Sequence, residues 1–115
     1  MGLNKALLVA LAVAIPLLGH HSFQVRFDEK RGITLSGTIT KVTWQNPHVH
    51  VDIDAKGEAG TAGSWELELD SPNMLMSQGW KIDSLRIGDQ VTASGFPARN
   101  GSKVLSAKKI TLTLH

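Results

Sequence analysis

Between Ile33 and Trp44 the chain changes step in a way that few folds accommodate. Ile33, Leu35, Gly37 and Ile39 alternate with Thr34, Ser36, Thr38 and Thr40, the period-2 pattern of a strand with one buried face. After Lys41 the apolar residues move to Val42 and Trp44. A parity switch inside one long strand predicts a β-bulge, which bends the strand so that it can serve two sides of a barrel. Gly37 in the middle fits the same bend.

The rest of the pattern follows from that strand. Asn46-Pro47 ends it with turn chemistry. A second strand, His48 to Asp54, points Val49, Val51 and Ile53 one way and His48, His50, Asp52 and Asp54 the other. Residues 55–63 hold three glycines and read as a hairpin loop. Ser64 to Asp70 returns with Trp65, Leu67 and Leu69 inward and Glu66, Glu68 and Asp70 outward. Ser71-Pro72 is a helix start, with an N-cap and a proline at the first helical position. The short helix, Pro72 to Gln78, stops at Gly79, and Trp80 and Ile82 are expected to plug the core. Gln90 to Phe96 and Val104 to Leu114 supply two more strands across an Asn100-Gly101 turn.

Three strands, one short helix and two strands predict an all-β fold, a five-stranded OB-like Greek-key barrel with the helix between strands 3 and 4. A β-sandwich would need about seven strands. Phe23-Gln24-Val25-Arg26-Phe27 alternates ahead of the barrel like an edge strand or extended arm.

Residues 6–18 run without a charge after Lys5. That is the length of a signal-peptide core and short of the roughly 20 residues of a membrane span. The expected organisation is a signal peptide over residues 1–19 and one domain over residues 20–115, placed in the periplasm of a Gram-negative cell, with no stable membrane insertion after cleavage. Residues 20–115 carry 11 Lys+Arg against 10 Asp+Glu, and that balance lacks the basic stripe of a nucleic-acid binder. The absence of cysteine excludes a disulfide, an iron–sulfur cluster and a blue-copper centre.

The combination of His21-Ser22-Phe23, Gly37-Thr38-Ile39, Asn46-Pro47-His48, Trp65 with Glu66 to Glu68, Ser71-Pro72-Asn73, Gly79-Trp80 and Leu85-Arg86-Ile87-Gly88-Asp89 resembles DUF6152, a family of small exported bacterial proteins of unknown function. The resemblance covers the whole of residues 20–115. It implies an exported single domain and carries no activity with it. It also implies a variable position at His50, which shifts weight to His48.

The histidine face is the chemical feature. Residues i and i+2 of a strand share a face at about 6.5–7 Å, so His48 and His50 could grip one metal ion. If Asp54 faces Ser64 across the hairpin, Asp52 faces Glu66, His50 faces Glu68 and His48 faces Asp70; a two-residue slip keeps the face and changes the partners, and in every such register imidazoles lie against carboxylates. Glu66 and Glu68 then act as ligands or hold the imidazole tautomers. The bland account is a polar sheet face, where a cross-strand His–Glu pair contributes about 0.2–1 kcal/mol and does nothing else. Cleavage after Gly19 would give His20 a free α-amine beside its ring, a histidine brace that His21 or His48 would complete into the nitrogen-rich plane that Cu(II) prefers. The expected ligand set is therefore His20, His21, His48, His50, Glu66 and Glu68, with copper first and zinc second.

Met74 and Met76 resemble a Cu(I) thioether pair, but i and i+2 diverge on a helix, and filling the barrel base is the expected role. No nucleophile elbow, phosphate loop or H-E-x-x-H motif is present. The expectation is a binding module that captures or relays a metal, with an envelope protein as a further partner. The alternative is a metal-free module for an envelope protein or glycan, with Trp44 beside the turn as a platform.

Overall fold

The computed structural model describes residues 11–12, 20–57 and 60–113, with side chains from residue 23 onward. The expectations placed on residues 1–10 and 13–19, on Leu114 and on His115 lie outside the described residues, as do those on the side chains of His20 and His21. The elements are β1 (Leu11–Ala12), α1 (His20–Arg26), β2 (Ile33–Thr43), β3 (His50–Lys56), β4 (Gly63–Glu68), α2 (Pro72–Ser77), β5 (Gln90–Pro97) and β6 (Val104–Thr113). The sheet order is β1-β6-β4-β3-β2-β5, and β5 also pairs with β6. That last pairing closes β2, β3, β4, β6 and β5 into a five-stranded barrel. All ladders are antiparallel except β4–β6, where Glu66, Leu67 and Glu68 run parallel with Val104, Leu105 and Ser106. The expected OB-like barrel, with one short helix between its third and fourth strands, is the observed fold.

The parity switch in β2 is a bulge. Ile39 pairs with Ile53 and Lys41 with Asp52, leaving Thr40 as the extra residue. A second bulge bends β6. Ser94 pairs with Lys109 but Gly95 with Ala107, so Lys108 is unpaired. Two glycines let the strands approach at these bends. A Cβ on Gly37 would stand 2.3 Å from the Asp54 carbonyl oxygen, and one on Gly95 would stand 1.9 Å from that of Ser106.

The barrel interior is filled by Leu35, Ile39, Val51, Ile53, Leu67, Leu105 and Ile110, each at most 2% exposed. Helix α2 plugs one end. Ser71 Oγ accepts from the Met74 amide, Pro72 starts the helix, and Gly79 leaves it at φ +99°. The plug is Leu75, at 0% exposure, with Trp80 at 3%. Met74 and Met76 are 38% and 49% exposed and Ile82 is 66% exposed, which corrects the expectation that they fill the core. With i and i+2 diverging on a one-and-a-half-turn helix, burying Leu75 turns both methionines outward.

Residues 20–26 correct a second expectation. They form a helix instead of an extended arm. The alternation Phe23, Val25, Phe27 satisfies a strand, but Phe23 and Phe27 are also four apart and therefore neighbours on a helix. The helical alternative is the one adopted. The Phe27 amide donates to the Phe23 carbonyl at 2.8 Å, the two rings lie 5.2 Å apart, and Val25 turns outward at 75% exposure.

Candidate functional site

The β3–β4 ladder has the expected register: His50 opposite Glu68, Asp52 opposite Glu66, Asp54 opposite Ser64. Because Val51, Ile53, Trp65 and Leu67 are buried inside the barrel, a one-residue slip would turn them to solvent, so the register is strongly held. The ladder continues past β3. The Val49 amide donates to the Asp70 carbonyl and the Leu69 amide to the Val49 carbonyl. His48 therefore stays on the outer face beside His50.

On that face the side chains meet. His50 Nε2 lies 3.3 Å from Glu66 Oε2 and 3.5 Å from Glu68 Oε1. His48 Nδ1 lies 3.9 Å from Glu68 Oε2. The structure thus brings His48, His50, Glu66 and Glu68 together, with His50 making the closer contacts. Their burial is unequal. The Glu68 side chain is only 11% exposed, against 44% for Glu66 and 41% for His48. A carboxylate that far from water needs a partner, and its partner is Arg26. Nη2 donates to Oε1 at 2.9 Å and Nη1 to Oε2 at 3.2 Å, the two-pronged geometry that guanidinium and carboxylate favour.

Helix α1 delivers Arg26 because it is stitched to the β5–β6 hairpin. Phe27 bridges to Ala98, the Asp28 amide donates to the Pro97 carbonyl, and the Arg99 amide donates to the Arg26 carbonyl. Arg99 Nε also donates to the Gln24 carbonyl. Phe23 packs edge-on against Phe96 at 6.1 Å, and Lys108 Nζ sits 4.4 Å from the centre of the Phe23 ring.

Three participants escaped sequence reasoning. Arg26 was concealed by the strand-like alternation around it; the four-residue spacing of Phe23 and Phe27 was the available signal. Lys108 was marked by a parity switch from Leu105 and Ala107 to Ile110 and Leu112, the same signature already legible in β2. Asp70, expected to face outward, is 9% exposed. Its Oδ1 accepts from the Ser71 amide at 2.8 Å, while Oδ2 is buried without a hydrogen-bond partner among the described residues. It lies where β4 has ended and the chain turns into α2, so the outward parity of the strand no longer applies.

Burial lowers the Lys108 ammonium from its ordinary 10.5 to about 8, with Asp70, Glu29 and Glu68 pulling the other way. Between those two values the unfolded chain binds more protons than the folded one. The penalty for burying the Lys108 ammonium is therefore full below pH 8 and is relieved as pH increases from about 8 towards 10.5, so this group's contribution to stability rises across that window. The chain has no tyrosine to titrate in that window. Urea midpoints are expected to climb across it, and Lys108→Met is expected to start higher at pH 7.5 and lose most of the climb. An equal climb in the variant would assign the effect to other groups.

Among the described residues, no group of three or more His, Cys, Asp or Glu side chains forms a ready-made metal cage. His50 lies against both carboxylates, but Glu68 is also held by Arg26. No helix of the described residues is long and apolar enough to cross a membrane.

The family model described as a family of unknown function, DUF6152, matches residues 8–106. The chain belongs to DUF6152. The DUF6152 match takes in α1, β2 to β5 and the start of β6, so Arg26, His48, His50, Glu66 and Glu68 all lie within it, whereas Lys108 lies beyond. No curated protein matches the chain.

Proposed function

We propose that this DUF6152 domain is an exported periplasmic binding module that captures or relays a divalent transition metal ion on the β3–β4 face. His50, Glu66 and Glu68 are the donors and His48 stands beside them. The observation that carries the reading is the spacing around His50 Nε2, 3.3 Å to one carboxylate and 3.5 Å to the other. Tetrahedral coordination with bonds of about 2.0–2.2 Å sets donor atoms about 3.3–3.5 Å apart. A square plane at similar bond lengths sets neighbouring donors at about 2.9 Å. The distances suit zinc and are equally those of a His–carboxylate ion pair. The copper preference drawn from the sequence rested on the amine and ring of His20. The charge-free run of residues 6–18 supports export.

Titration calorimetry with zinc on the isolated protein is expected to show one-to-one binding. His50→Ala is expected to weaken it more than about 100-fold, beyond what loss of a supporting partner of a ligand costs. Heat no greater than that of an unrelated protein would sink the reading.

A metal-free module for an envelope protein is the second reading. It is supported by Val25, which stands 75% exposed at the edge of a depression lined by Arg26, Phe27, Arg99 and Asn100. An apolar side chain beside two arginines suits an acidic partner segment with an apolar anchor.

A further inference from the structure

We infer that Arg26 is the built-in counter-cation of the candidate site, so that its guanidinium and a metal ion compete for Glu68. The inference rests on the metal reading above and goes beyond it by naming what regulates occupancy. Three observations lead to it. Glu68 is the most buried donor, at 11% side-chain exposure, and both its oxygens are taken by the Arg26 fork. The same two oxygens are the ones that face the histidines, Oε1 towards His50 and Oε2 towards His48. The Arg26 side chain itself is 55% exposed.

These facts make the exchange unequal in a useful way. An ion bound at Oε1 or Oε2 would stand within a few ångströms of the guanidinium, and two cations at that distance repel. The carboxylate is the more buried of the two, at 11% exposure against 55%. The guanidinium is the freer of the two, because it ends a long half-exposed side chain, although leaving Glu68 also costs it part of its contact over the Phe27 ring, whose centre lies 4.8 Å from the guanidinium carbon. Arg26 thus neutralises Glu68 when no metal is bound and gives way when one arrives. Metal affinity is set by the difference between the two cations' hold on Glu68, not by the donors alone, and the linkage is reciprocal.

Zinc calorimetry on the wild-type protein, Arg26→Gln and His50→Ala separates the outcomes. The expected result is that Arg26→Gln binds zinc about tenfold more tightly than wild type while His50→Ala loses binding. If wild type binds zinc and Arg26→Gln binds no more tightly, the counter-cation role is wrong and the metal reading survives. If neither wild type nor Arg26→Gln binds zinc, the metal reading falls and takes this inference with it. A measurement on wild type alone does not depend on how the variants fold. Phenylglyoxal modification of Arg26, followed by peptide mass spectrometry, is expected to accelerate several-fold when zinc is added. An unchanged rate in protein that has bound zinc would overturn the competition.

Discussion

Leu67→Ala is expected to destabilise the protein by about 2–5 kcal/mol, the range for emptying a fully buried leucine site. Leu67 is 0% exposed. It is the penultimate residue of β4, paired with Val51 on one side and Leu105 on the other. Those neighbours belong to two ladders that cannot both close on a smaller side chain without shifting the barrel, so the cavity stays largely open. Since a small domain is stable by about 5–15 kcal/mol in all, the upper end of this loss would leave a substantial fraction unfolded. Urea denaturation reads it directly, and Ile87→Ala, at a site 71% exposed, is the control expected to stay within about 0.5 kcal/mol. A Leu67→Ala loss as small as the control would mean that β4 does not hold the core together.

Gly95→Ala is the second large effect, and it has the opposite origin, crowding instead of a void. The added methyl would meet the Ser106 carbonyl oxygen at 1.9 Å, its carbon at 2.9 Å and the Ala107 Cα at 3.0 Å. All three are backbone atoms of β6, so no side chain can rotate to make room. The β5–β6 ladder must part beside the Lys108 bulge, at a cost of about 3 kcal/mol. The same separation would disturb the hairpin to which α1 is stitched, so zinc-independent loosening of the Arg26–Glu68 fork should accompany the loss. A lower urea midpoint with an unchanged slope is the expected signature. An unchanged midpoint would show that the strands do not approach this closely.

Much of the barrel was legible because its signals are local. Alternation marks each strand, the switch after Lys41 marks the β2 bulge, and Ser71-Pro72 with Gly79 brackets α2. Keeping one face buried set the parity of the β3–β4 ladder and left a two-residue slip open; the register that pairs Asp54 with Ser64 is the one adopted, and it brings His50 to Glu66 and Glu68. What was not legible depends on partners distant in the chain. Residues 23–27 satisfy a strand and a helix equally until Phe96 and Ala98 are available for Phe23 and Phe27 to pack on. Lys108 reads as an ordinary surface lysine until the bulge turns it beneath Phe23. Met74 and Met76 looked like core because they are apolar, yet only one residue of that turn can face the barrel, and Leu75 takes the place.

The proposed donors and their proposed counter-cation come together by very different routes through the chain. His48, His50, Glu66 and Glu68 all belong to one hairpin, whereas Arg26 meets Glu68 across a separation of 42 residues and depends on the β5–β6 hairpin to hold it there. Short-range closures are entropically cheaper and are expected to come first. A folding chain should therefore possess the histidine–carboxylate hairpin before it possesses the fork. During that interval Glu68 has no guanidinium on it, and an ion present where the chain folds meets the donors without a competitor. Loading during folding and loading of the finished barrel would then be two different reactions, with the barrel's closure as the event that separates them.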